Sequence, residues 1–277
     1  MTTATATRSP APAPLVDVGA PTPRDHLRHV GALVRRQALQ AKGDPQSMMD
    51  ALLMPIVFTL LFVYVFGGAI GAGGDRDRYT DYLMPGMMAM TSIGIAMAVG
   101  TGLNEDLRTG VMDRFRALPI ARSSVLVAKV VVELGRMLVA FAVLLLVGLA
   151  VGLDVDGRWA ELGAAVALTA LFGTSLLWIF MLLGLLLKSA QAIQGASFLA
   201  LMPLQFGSSI FVPVETMPGW LEAFASVNPL SHAADAARGL MIGQGPVAQP
   251  VLWTLVWAVG LTAVTAPLAV RAFRRRT

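Results

Sequence analysis

Polar and apolar positions alternate along this chain in blocks far longer than a turn of helix. Six apolar runs stand out, at about 48–68, 82–103, 125–152, 162–187, 192–212 and 251–270. At 1.5 Å rise per residue, each predicted helix crosses a hydrocarbon layer about 30 Å thick. The fifth is interrupted by Pro203, and the second is rich in Met and Gly with Pro85 near its start. Between the fifth and sixth runs, short helical patterns at 220–227 and 229–241 are too brief to span. They predict two short external helices, re-entrant or lying in the outer leaflet and shielded from lipid by protein. Upstream, Leu27, Val30, Val34, Ala38 and Ala41 recur every three or four residues, which makes 25–42 an amphipathic helix. Arg28, Arg35 and Arg36 lie off its apolar stripe, where they suit a helix in the headgroup region, although packing on the protein's own loops is an equal alternative. Residues 1–24, rich in Thr, Ala and Pro, predict a disordered tail, and 25–277 a single membrane domain. The fold class expected is an all-α polytopic membrane protein.

Composition strengthens that expectation. Of 277 residues, 56% are hydrophobic and 14% charged, with a mean hydropathy of +0.68; soluble domains are about 25% charged. The net charge of +4 does not point to nucleic acid, because the basic residues cluster beside the apolar runs. With an internal N-terminus, the internal segments carry fifteen Lys and Arg and the external ones four. The positive-inside bias then places both termini in the cytoplasm of a multi-pass plasma-membrane protein. No cysteine is present, so disulfides and thiolate chemistry are excluded.

The most informative polar stretch is 104–120, NEDLRTGVMDRFRALPI, between the second and third apolar runs. Glu105, Asp106 and Asp113 come early and Arg108, Arg114 and Arg116 mostly late, an order that suits the macrodipole of a short helix stopped by Pro119. It reads either as a docking surface for another protein or as an ordinary cytoplasmic loop carrying topogenic charge. Within the apolar runs, Glu133 and Arg136 form a polar pair at i, i+3, with Lys129 one turn before. A tie near the inner interface is favoured over a polar path. The otherwise charge-free spans argue against an ion-coupled pump. Met87, Met90, Phe198 and Phe206 offer soft, aromatic surface for a lipophilic ligand, with plain helix packing as the alternative. Only His26, His29 and His232 exist, so no metal site is expected. None of the three lysines completes a GxxxxGK[ST] motif, so any ATP-driven work must come from a separate subunit.

The stretch NEDLRTGVMDRFRALPIARSSVLVAK resembles the segment after the second span of ABC-2 type transporter permeases, in particular the daunorubicin/doxorubicin-resistance branch. The matching positions are Asp106, Gly110, Arg114, Arg116, Leu118, Pro119, Ile120 and Arg122. Phe211-Val212, Met217-Pro218-Gly219-Trp220, Asn228-Pro229, Arg238-Gly239-Leu240 and the basic end Arg274-Arg275-Arg276 are similar as well. The resemblance implies a homodimeric, drug-effluxing permease with cytoplasmic ABC ATPase subunits that hold the ATP and Mg; this chain itself would need no cofactor. It implies that 104–120 is the ATPase-coupling helix and that 25–42 touches the same partner. The substrate would be a lipophilic small molecule such as an antibiotic, while lipid and polysaccharide exporters occur in the same family. An intramembrane enzyme built on Glu133, or a non-transporting anchor, are the readings from other classes.

Overall fold

A computed structural model describes residues 31, 34, 35, 45–70, 76–110, 122–243 and 245–276. The predicted tail 1–24, most of the predicted helix 25–42 and residues 111–121 of the charged stretch lie outside the described residues. Every regular element among the described residues is helical. Helix α1 runs Pro45–Leu61, passes through a π-helical turn Phe62–Phe66 and resumes as Gly67–Ile70. Then follow α2 (Arg76–Arg108), α3 (Arg122–Val151), α4 (Trp159–Leu186) and α5 (Ala190–Phe206). After a short 3-10 turn, Val214–Thr216, come α6 (Gly219–Val227), α7 (Pro229–Ile242) and α8 (Ala248–Arg276).

Four of these helices, α2, α3, α4 and α8, are long and apolar enough to cross a membrane. The six predicted spans are therefore matched at four places, and the other two differ for identifiable reasons. In α1 the apolar part is the shorter stretch Leu52–Phe66, which the π turn enters. In the fifth run the helix stops at Phe206 instead of continuing to 212, and its 17 residues reach only about 25 Å. Gly207 caps this end and Asn228 holds it: its Nδ2 donates to the carbonyls of Leu204 at 2.8 Å and Gly207 at 3.0 Å, while its Oδ1 accepts from the Leu230 amide and caps α7. One side chain thus satisfies the end of one helix and the start of another. The two short helices α6 and α7 fall where the sequence places them.

Helix α2 is the centre of the molecule. Along its most apolar stretch 78% is buried, against 11% for α8, which lies at the periphery. Helix α2 meets α4 backbone to backbone, because a Cβ at Gly184 would stand 2.4 Å from the Gly100 carbonyl oxygen and one at Gly100 2.5 Å from that of Phe180. Such contact between small residues suits helices in lipid, where dispersion and close approach replace a hydrophobic drive. Gly148 and Gly152, which fit a small-residue pattern in the sequence, are also spent internally, against Met84 and Asp77.

The contacts sort the connections into two ends. Asp154 N–H donates to Asp81 at 2.9 Å, so the 152–158 turn sits with the start of α2. At the opposite end, the last turn of α2 meets the end of α4 through Asn104. Arg276, in the final turn of α8, reaches the Leu186 carbonyl there at 3.4 Å.

Candidate functional site

Among the described residues, an apolar groove of about 710 Å³ opens between α1, α2 and α5. Phe58 and Phe62 line it from α1, Met90, Ile93 and Met97 from α2, and Phe198, Met202 and Phe206 from α5. Its floor is a ladder of rings. Phe62 stacks on Phe211 with centroids 4.8 Å apart, and Phe211 on Phe206 at 5.4 Å. Among the described residues that line it, Gln194 and Gln205 alone carry side-chain amides or hydroxyls. A site of this size and lining binds a bulky, flat, lipophilic molecule and orients it with few polar contacts. Of the four residues suggested for a lipophilic ligand, Met90, Phe198 and Phe206 meet in this groove. Met87 is fully buried in the core and does not reach it.

The non-helical chain 207–213, which brings Phe211 to the groove, is held by side chains. Arg238 donates from Nε to the Tyr82 carbonyl at 3.1 Å and from Nη2 to the Ser209 carbonyl at 2.9 Å. It pairs with Asp235 through Nη1, and its guanidinium lies 3.7 Å from the centre of the Tyr82 ring. Ser209 Oγ donates to the same Asp235 carboxylate at 2.7 Å, the Tyr82 hydroxyl donates to the Ser209 carbonyl at 2.7 Å, and the Tyr79 hydroxyl to that of Phe211 at 3.3 Å. The irregular carbonyls of Gly207, Ser209 and Phe211 thus each receive a side-chain donor, which suits non-helical backbone between membrane helices. Beside this hub a second, polar hollow of about 360 Å³ is lined by Glu215, His232 and Asp235. Burial holds the His232 imidazole below its usual pKa, against the opposing pull of Asp235, and its ring stacks on Trp253 at 5.9 Å.

At the other end lies the described part of the charged stretch. Glu105 and Arg108 are exposed, Asp106 and Gly110 are half-buried, and Gly110 takes a left-handed φ of 72° that ends the helix. Asp113, Arg114, Arg116 and Pro119 lie outside the described residues, as do Arg28 and Arg36. Val34 packs against the core while Arg35 is exposed. Glu133 and Arg136 form the expected i, i+3 pair at 3.1 Å within α3. The structure also joins Asp106 to Lys129 at 3.0 Å and gives roles to Asn104 and to the Arg238 hub, none of which the sequence pattern assigns. The signals existed: an Asn at the end of an apolar run, and an Asp–Arg spacing of three in a segment otherwise short of charge.

Comparison with known proteins agrees with these features. The ABC-2 type transporter family model matches residues 28–242. The "Daunorubicin resistance ABC transporter permease protein DrrB1" of Streptomyces coeruleorubidus is 37% identical over 241 residues, covering 87% of this chain and 84% of that protein. The "Probable doxorubicin resistance ABC transporter permease protein DrrC" of Mycobacterium tuberculosis (strain ATCC 25618 / H37Rv) is 26% identical over 84% of this chain and 83% of its own length. The "Probable multidrug ABC transporter permease YbhR" of Escherichia coli (strain K12) is 25% identical over 72% of this chain and 53% of its own. With helices of spanning length, an apolar groove and a match across most of its length, the chain belongs to the ABC-2 type transporter family, as a multi-pass membrane permease that is the transport subunit and not the ATPase.

Proposed function

We propose that this permease exports a lipophilic, largely planar small molecule, powered by a separate cytoplasmic ATPase subunit that binds ATP and Mg. The aromatic groove between α1, α2 and α5 carries this reading. Its ring ladder and scarcity of polar groups suit a polycyclic drug and offer almost nothing to a polysaccharide, whose hydroxyls would go unpaired. The names of the relatives, daunorubicin, doxorubicin and multidrug permeases, agree with that chemistry. In this reading α1 and α5 supply two further crossings, six in all, and α6 and α7 lie as re-entrant helices on the outer side. The charge bias puts both termini and the 104–120 insert in the cytoplasm. The insert then docks in the ATPase through Glu105, Arg108, Asp113, Arg114 and Arg116, with 25–42 beside it, and two copies of the chain enclose the pathway. An intramembrane enzyme is disfavoured, since Glu133 is tied to Arg136.

The test is doxorubicin accumulation in cells expressing this chain with its ATPase. Replacing Phe62 and Phe206 together by Ser is expected to cut export about tenfold with the subunits still associated, since each ring contributes on the order of 1 kcal/mol beyond its area. Unchanged export would remove the groove from the pathway. Docking is checked separately: Arg114→Glu with Arg116→Glu should release the ATPase subunit, and intact association and export would end the coupling assignment.

A further inference from the structure

The charged insert leaves α2 after Gly110 and the described chain resumes at Arg122 in α3, so what fixes its two roots decides what a push on it can do. Asp106 sits in the last turn of α2, and Lys129 about two turns into α3. Lys129 Nζ donates to Asp106 Oδ2 at 3.0 Å across 23 residues of chain, closing the insert into a loop with a joined base. The ammonium is largely covered, with 17% of the Lys129 side chain exposed, so its charge acts on this carboxylate and, from one turn away, on that of Glu133 more than on solvent. Asp106 keeps 38% of its side chain exposed. Two residues earlier, Asn104 is 1% exposed. Residues two apart on a helix face different sides. Asn104 accordingly reaches away from α3 and donates through Nδ2 to the carbonyls of Gly184 and Leu187, both at 2.9 Å, at the end of α4. The last turn of α2 is thereby fastened to α3 on one side and α4 on the other, beside the Gly100–Gly184 crossing that admits no Cβ.

We propose that Asp106 and Lys129, backed by Asn104, form a clasp at the root of the insert, and that Asp106 is a positioning residue of this clasp instead of a contact to the ATPase. The inference rests on the coupling reading of the insert. A displacement applied to a loop with a loose base is absorbed by bending that loop. Applied to a loop whose base is bridged and bonded to a third helix, it moves α2, α3 and α4 together, and α2 walls the groove. A carboxylate already accepting from its own chain's ammonium would have to give up that bond before a partner could use it.

The two roles of Asp106 separate in a charge swap, measured on the permease–ATPase complex in vesicles. The readouts are co-purification of the subunits, ATP hydrolysis, and doxorubicin transported per ATP hydrolysed. Asp106→Lys alone and Lys129→Asp alone should keep the complex intact and lower transport per ATP about tenfold. The combined swap should return it to within about threefold of the parent, because the pair is rebuilt with its charges exchanged. A swap no better than the worse single variant, or release of the ATPase by Asp106→Lys alone, overturns the proposal. Should the swap fail to accumulate, the neutral series Asp106→Asn, Lys129→Gln and both together replaces it. A clasp predicts a double variant no worse than the worse single, and additive losses overturn it. The coupling reading fails by a different result, intact association and export in the Arg114→Glu, Arg116→Glu variant.

Discussion

Arg238 shows how much one residue can hold in a lipid-facing protein. Its guanidinium covers the Tyr82 ring, donates to two carbonyls on different segments and pairs with Asp235, so it ties α7, α2 and the chain beyond α5 into one knot. Lysine keeps the charge but not the planar fork, so it cannot serve both carbonyls while lying flat on the ring. Replacing Arg238 by Met should destabilise the protein by about 3 kcal/mol, since breaking a buried pair strands its partners. Arg238→Lys should recover less than half of that loss, as read from the melting temperature in detergent. Equal melting of Arg238→Met and the parent would show that the 207–213 backbone is held by other means.

At the scale of elements, glycine decides where helices touch. Gly100 and Gly184 allow α2 and α4 to cross with backbone against backbone, and Asn104 adds two hydrogen bonds one turn away. Gly184→Leu should therefore separate the helices and lower the yield of folded protein several-fold, measured by size-exclusion chromatography, while Gly163→Leu, at a position with open space, should leave it unchanged. The existence of these helices was legible in the sequence, because long apolar runs are a local signal. So were α6 and α7, bounded by Gly219 and by Asn228-Pro229. The early end of α5 was not, because the side chain that holds it, Asn228, arrives from 24 residues further along to bond the Leu204 carbonyl. The groove was half legible for the same reason. Met90, Phe198 and Phe206 announce soft aromatic surface, but Phe58 and Phe62 join them only through the packing of α1. Met87, of the same residue type and on the same helix as Met90, turns to the core by a rotation no composition argument resolves. The Asp106–Lys129 bridge is likewise a tertiary fact, invisible to a reading that assigns each charge to its own segment.

For the molecule as a whole, the span with the most protein around it is also the least apolar of the four. Helix α2 has a mean hydropathy of 1.5 where 78% is buried, while α3 has 2.5 where 33% is buried. The logic is one of environment: α2 is enclosed by its neighbours and carries Met, Ser, Thr and Gly among its buried residues, while α3 leaves much of its surface exposed. During synthesis that ordering becomes a matter of timing. Helix α2 emerges before the helices that will surround it, and its own partition into the bilayer is weaker than that of α3 or α4. Stable residence of α2 should then await the arrival of α4, whose carbonyls receive Asn104 and whose Gly184 accepts the crossing. In chains truncated after residue 120, a cysteine placed at Ser92 should be labelled by a water-soluble maleimide, and in chains extended past residue 187 it should resist labelling. Equal resistance at both lengths would mean that α2 inserts unaided, and that its Ser, Thr and Gly residues are tolerated by lipid from the start.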